Sequence, residues 1–230
     1  MIKAILFDID NTLVDFMKMK RKSCEAAVEA MISAGLKMEK EDAMKEIYAI
    51  YAKKGMEYRD VFEKIIKKSN GKIDYKIMAS GVLAYRLVKE EQVIPYEGVI
   101  STLKVLKKKY KLAVVSDAPA MKAWTRLIMA KLDGCFDLVL TKSDVKRQKT
   151  STVPFNAALK HFNIEPEEAI MVGDRIERDI QTPKKLGIKT CFARYGVEDL
   201  KKPANGKSGA DFEINEFKDL IGILKSIKKK

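Results

Sequence analysis

A chain of 230 residues, 47% apolar and 33% charged, is long enough for a sizeable core, either as one large domain or as a core with a smaller domain appended. No apolar run approaches the length of a membrane span, and Met1-Ile2-Lys3-Ala4-Ile5-Leu6 runs straight into a strand-like stretch. The expectation is a cytoplasmic protein without a signal peptide. The formal charge of +13 favours anionic partners such as phosphorylated metabolites, nucleic acid or acidic membrane surfaces.

Much of that charge is dispersed in short steps, Lys67-Lys68, Lys107-Lys108-Lys109, Lys184-Lys185 and Lys228-Lys229-Lys230. No aromatic residues are interleaved with them as in a base-stacking surface, so a solvated Lys-rich face is the simpler reading. Cys24, Cys135 and Cys191 are odd in number, widely spaced and without a CxxC pair. They indicate reduced, mostly buried thiols rather than a disulfide framework or a zinc site.

In chain order, Ala4-Ile5-Leu6-Phe7 reads as a buried strand, followed at once by Asp8-Ile9-Asp10-Asn11-Thr12-Leu13. From residue 15 to about 91 the pattern becomes helical. A first helix is expected over 18–34. Met44, Ile47, Tyr48 and Tyr51 then recur at helical spacing, as do Tyr58, Val61, Phe62, Ile65 and Ile66, and then Tyr75, Met78, Val82 and Tyr85. Gly35, Gly55 and Ser69-Asn70-Gly71 punctuate these segments. The resulting four helices suffice for a small bundle whose Met and Tyr stripes form its interior. After Pro95, helices near 99–109, 119–131, 153–162 and 216–227 separate strands at 112–115, 137–140, 169–172, 189–193 and 212–214. Residues 142–150 read as a polar loop. Strands with nearly continuous apolar sequence, separated by helices, imply a doubly wound parallel sheet, an α/β core covered on both faces. The predicted organisation is a core of residues 1–15 and 93–230 with a helical domain, 16–92, inserted in it.

Three strand ends carry small polar or acidic groups: Asp8 with Asp10, Ser116, and Asp174 after Gly173. In a parallel sheet such ends share one edge, so residues distant in sequence converge on one crevice. Paired carboxylates repel and lose solvation, which calls for a cation or a shared proton, and magnesium is a hard ion suited to oxygen ligands and phosphate. Gly173 lets the backbone come close to a bound group, and Asp174 and Asp179 enclose a short loop that adds carboxylates. One of Lys142, Lys146, Arg147 or Lys149 is expected to balance their charge. Lys18, Lys20 and Arg21 at the start of the inserted domain read as a solvated helix face, with contact to an anionic substrate as the alternative. His161 and Trp124 read as structural.

This order of residues resembles the haloacid dehalogenase-like hydrolase superfamily over nearly the whole chain. Asp8-Ile9-Asp10-Asn11-Thr12-Leu13 looks like its first motif, Ser116 its second, Lys149 its third, and Gly173-Asp174 through Asp179 its fourth. The inserted helices are similar to the family's cap domain. Within the superfamily, Ser80-Gly81-Val82-Leu83-Ala84-Tyr85, Lys122-Ala123-Trp124 and Arg194-Tyr195-Gly196 look like archaeal phosphatases assigned to glyceraldehyde 3-phosphate. The resemblance implies that Asp8 attacks phosphorus to form an aspartyl phosphate, while Asp10 protonates the leaving oxygen and later deprotonates water. It implies magnesium held by Asp8, the Asp10 carbonyl oxygen and Asp174, with Asp179 in the outer shell. Ser116, Lys149 and backbone N–H groups near Asp10, Asn11 and Asp117 would hold the phosphoryl group. Two departures stand out. Lys149-Thr150 replaces the family's common Lys-Pro, leaving Lys146 as a substitute, and Asp117 replaces the commoner Asn, adding a carboxylate beside the phosphate.

Asp10 favours a phosphatase over a dehalogenase, because halide leaves without a proton and an alkoxide does not. The alternatives are a phosphomutase using the same intermediate, and a non-catalytic binder of anions or nucleic acid on the same fold. The substrate, on the resemblance, is a small phosphorylated metabolite, with neither membrane nor nucleic acid as partner. Abundant Lys and Glu with little Gln matches proteins from hot environments. Calorimetry should therefore give a melting temperature above the mesophile range of about 45–65 °C, and a value inside it overturns that reading.

Overall fold

The four residues of β1 (Ala4–Phe7) are all fully buried, as a strand flanked on both sides by other strands and covered on both faces must be. The computed structural model describes residues 1–196, 206 and 208–227. The terminal Lys228-Lys229-Lys230 run lies outside the described residues. The chain divides into two compact units, Met1–Phe16 with Ile94–Lys230, and Met17–Val93.

The second unit is a helical bundle of α1 (Phe16–Ser33), α2 (Lys40–Lys54), α3 (Val61–Asn70) and α4 (Tyr75–Glu91). Gly71 caps α3 in the left-handed conformation, and Asp74 caps α4 by accepting from the N–H groups of Lys76 and Ile77. Val28, Met31, Ile47, Tyr51, Phe62, Ile65 and Ile66 form its interior. Lys20 departs from the solvated face expected of it. It is buried, donates to the Tyr85 hydroxyl at 2.9 Å and lies 4.1 Å from the Tyr51 ring centroid. An ammonium accepted by a hydroxyl and a π-face tolerates burial that solvation otherwise forbids.

The first unit continues with α5 (Val99–Leu106), β2 (Lys111–Ser116), α6 (Ala120–Met129), β3 (Leu138–Thr141), α7 (Lys142–Val145), α8 (Val153–Phe162), β4 (Ala169–Gly173), α9 (Thr182–Lys184), β5 (Lys189–Ala193), β6 (Phe212–Ile214) and α10 (Leu220–Ile227). The strands form one parallel sheet in the order β3-β2-β1-β4-β5-β6. Strand order reverses beside β1, between β2 and β4, and ligands of open α/β sheets bind outside the carboxyl ends at such a point. Phe7 is level with Val114 and Val172, so Asp8, Ser116 and Asp174 emerge along one edge. Leu6, Ala113, Val115 and Met171 pack against Phe155, Ala158 and Leu159 of α8 on one face of the sheet.

Two local expectations change. Residues 142–150, expected as a loop, begin with the turn α7 because Thr141 and Asp144 form a reciprocal capping box. The stretch between Asp174 and Asp179, also expected as a loop, enters a π-helical turn, Ile176–Gln181, that runs into α9. The two connections leading to and from the helical unit are stitched together by Asp15 N–H to Ile94 O at 3.1 Å and Tyr96 N–H to Leu13 O at 3.0 Å. Among the described residues, no helix is long and apolar enough to cross a membrane.

Candidate active site

Asp8 follows β1 directly, and its N–H donates to Val172 O of β4 at 3.0 Å, which holds the start of the loop against the neighbouring strand. The loop then turns sharply: Leu13 and Val14 N–H both donate to Ile9 O, and Asn11 takes a left-handed φ of 56°. Asn tolerates that conformation better than most residues with a side chain. From behind, Tyr195 O–H donates to Thr12 O at 2.8 Å, and its ring meets Tyr96 edge-on with centroids 4.7 Å apart. Gly196 lies so close that a Cβ there would overlap the Asn11 carbonyl oxygen.

Lys149 is the centre of the charge arrangement. Its ammonium is 2% exposed and sits 2.7 Å from both Asp8 Oδ1 and Asp179 Oδ1. Burial alone would lower its pKa, but Asp179 and Asp8 outweigh that and hold it above the ordinary lysine value. Lys146, the substitute kept open by the sequence, is an exposed left-handed cap of α7. The Lys149 backbone N–H donates to Asp117 Oδ1 at 2.7 Å, and Asp117 Oδ2 accepts from Arg178 at 2.9 Å. The carboxylate that replaces the commoner Asn is therefore matched by a guanidinium, and it ties the loop after β2 to the Lys149 segment and to the π-turn.

Asp8, Asp174 and Asp179 each place a carboxylate oxygen so that all lie within 4.8 Å of one another, all three residues being buried. Asp174 Oδ1 is buried without a hydrogen-bond partner. Burial, then Asp8 and Asp179, raise Asp174 well above the usual carboxylate range. Burial also raises Asp179 to about 6, against the lowering effect of Lys149. An all-oxygen, proton-hungry set with an orphaned acceptor fits a hard divalent cation. Asp179 reaches this cluster because Gly173 leaves room for it: a Cβ at 173 would overlap the Asp179 carboxyl. The space expected to serve a bound group is filled by this side chain instead. Arg175 N–H steadies the other Asp179 oxygen at 3.0 Å.

The carboxylate of Asp10 is not in that cluster. Its Oδ2 lies 3.0 Å from Arg126 Nη1, a buried residue of α6 absent from the sequence reading, and its pKa is raised to about 6 by burial, against Arg126 and with Asp8. Ser116 is buried at the end of β2, and its Oγ accepts from Ala118 N–H at 3.2 Å. A cavity of about 100 Å³ is lined by Asp8, Asp10, Ser116, Asp117, Ala118, Lys149, Arg175 and Arg178. Trp124 and His161 lie outside this lining.

A family model described as haloacid dehalogenase-like hydrolase matches residues 5–193. The chain belongs to this family. A protein of Methanocaldococcus jannaschii named glyceraldehyde 3-phosphate phosphatase is 35% identical over 230 residues, with 100% of both chains covered. Among solved structures, a putative β-phosphoglucomutase from Thermotoga maritima superposes with a TM-score of 0.76 at 22% identity, covering 98% of this chain and 100% of that one. The magnesium-bound putative hydrolase YfnB of Bacillus subtilis gives 0.71 at 20% identity, covering 97% and 98%. At these identities the two structures speak for the fold of a haloacid dehalogenase-like hydrolase.

Two outcomes follow from the packing and charge of the site. Gly196→Ala should cost about 1–3 kcal/mol in urea denaturation and lower activity, since the Asn11 loop has to move; unchanged stability would refute the close approach. Because burial raises Asp174 and Asp179, the metal-free folded state binds protons more tightly than the unfolded chain. Its stability should fall as pH rises from about 4 through about 6. A divalent cation held by these carboxylates would have to displace those protons, so the thermal shift induced by added magnesium should be larger at about pH 8 than at about pH 5.5. Proton release on binding, read by calorimetry in buffers of different ionisation enthalpy, checks this, and a pH-independent shift contradicts it.

Proposed function

We propose that this hydrolase is a magnesium-dependent phosphatase that removes phosphate from a small phosphorylated metabolite, glyceraldehyde 3-phosphate or a related sugar or organic phosphate, through an aspartyl phosphate on Asp8. The observation that carries the reading is the convergence of Asp8, Asp10, Ser116 and Lys149 on one small cavity above the buried Asp8-Asp174-Asp179 cluster. The relative named as a phosphatase, matched over its full length, supports the same activity here.

On this reading, Asp8, Asp174 and the Asp10 carbonyl would hold the metal, and Asp179 pairs with Lys149. A metal held there would supply positive charge between a carboxylate nucleophile and an anionic phosphate. Asp8 attacks phosphorus, the ester P–O bond breaks, and Asp10 gives its proton to the departing oxygen. Water then attacks the aspartyl phosphate, Asp10 takes its proton, and the bond to Asp8 breaks to release phosphate. A carboxyl raised to about 6 suits both directions of transfer near neutral pH. Ser116, Lys149 and the backbone N–H groups around Asn11 and Asp117 grip the phosphoryl oxygens. The helical unit, inserted in the chain between Asp10 and Ser116, takes the role of the cap that selects the ester. A cytoplasmic setting fits the free thiols of Cys24, Cys135 and Cys191.

Phosphate release from a panel of small esters, glyceraldehyde 3-phosphate among them, should require magnesium and vanish in Asp8→Asn, with a loss of several orders of magnitude. An isomerised ester without free phosphate would make the protein a mutase. Salt-sensitive nucleic-acid binding with no release would make it a binder.

A further inference from the structure

Arg126 is buried to 7% exposure on α6, ten residues after Ser116 in the chain. Its guanidinium has Asp10 Oδ2 at 3.0 Å from Nη1 and the ring centroid of Phe16, the first residue of α1, at 5.1 Å from Cζ. A buried guanidinium needs a charge partner, and the flat face that stacks on an aromatic ring also fixes its plane. Asp10 thus has its two oxygens in different settings. Oδ2 is engaged by Arg126, while Oδ1 is buried with no hydrogen-bond partner, on a residue that lines the cavity beside Asp8 and Ser116.

We infer that Arg126 is a positioning residue for the proton transfers of Asp10: by holding Oδ2, it sets the carboxyl so that Oδ1 is presented to the leaving oxygen and later to the attacking water. This inference rests on the phosphatase reading. Arg126 is not among the residues lining the cavity, so it acts through Asp10. Because α6 follows directly on the Ser116 loop, one stretch of chain holds both a phosphate-binding hydroxyl and the orientation of the acid. In the first step an Asp8 oxygen bonds to phosphorus as the ester P–O bond breaks, and the Asp10 proton goes to the alkoxide. In the second, a water oxygen bonds to phosphorus as its proton goes to Asp10, and the Asp8 O–P bond is cleaved. Both transfers need an aimed oxygen, whereas phosphate binding does not.

The test compares an alkyl ester, glycerol 3-phosphate, with p-nitrophenyl phosphate, whose leaving group departs without a proton. Arg126→Met should lower kcat on the alkyl ester on the order of 10–100-fold, part of the roughly 10²–10⁴ contributed by a placed acid or base, with KM nearly unchanged. On the aryl ester the first step is spared and only the second is slowed. Stopped flow should therefore show a burst of about one equivalent of p-nitrophenolate per site, followed by slow turnover. Arg126→Lys, which keeps the charge, should restore part of the alkyl rate. If Arg126→Met fails to fold, Arg126→Lys should show a smaller burst of the same kind. In Asp10→Asn, adding Arg126→Met should cost little more, because the two act as one unit. Equal losses on both esters without a burst, or a change confined to KM, would overturn the inference alone. A wild type that releases phosphate from neither ester nor from any of the panel, glyceraldehyde 3-phosphate included, would overturn the phosphatase reading and this inference with it.

Discussion

The contact on which the rest of the site depends is the ammonium of Lys149, closed in between Asp8 and Asp179 at 2.7 Å from each. Neither side tolerates the loss of the other. Removing the lysine would leave three buried carboxylates facing one another, and an unpaired buried charge typically costs about 3–5 kcal/mol. Removing the aspartates would strand an ammonium with 2% exposure. The arrangement also joins distant pieces of chain: Asp8 closes β1, Asp179 belongs to the turn after β4, and Lys149 lies before α8. The parallel sheet aligns the strand ends, and this ion cluster determines which oxygens remain available to a metal.

Around that centre, the other acids each have a cationic neighbour: Arg126 beside Asp10, Arg178 beside Asp117, and Arg175 Nε at 3.5 Å from Asp174. The guanidinium groups differ in exposure. Arg126 is buried, while the side chains of Arg175 and Arg178 are 44% and 40% exposed at the cavity. The outer pairs are thus screened by water and contribute little to stability, while the inner pair fixes geometry. A strongly basic protein can in this way keep a locally acidic pocket without strong net repulsion toward phosphate.

The strands, and the places where Asp8, Ser116 and Asp174 leave them, were legible because buried parallel strands have an unbroken apolar signature that ends abruptly at polar residues. From the residues alone Lys149 was one of several basic candidates, and only the family resemblance singled it out. What separates it from Lys146 is the left-handed cap that ends α7, where Lys146 is exposed while Lys149, three residues on, is buried. Arg126 carried no signal, since one basic residue on an amphipathic helix looks like surface. Lys20 misled for the same reason: two tyrosines from other helices shelter it, and the spacing within α1 holds no trace of them. The π-turn that inserts Asp179 depends on the space left by Gly173, a tertiary fit invisible to local periodicity.

The link between Tyr195 and Thr12 spans 183 positions, and Gly196 packs against Asn11 beside it. Asp8 lies within the first ten residues, yet the loop beside it is braced by chain that follows β5. Contacts of such long sequence separation cost loop-closure entropy before they are rewarded, and none of them exists until residues 195 and 196 have been made. A growing chain would therefore carry Asp8 long before this brace existed. The loop after Asp8 gains that brace only once the chain beyond β5 is in place, so its shape is completed with the sheet rather than with synthesis of the motif.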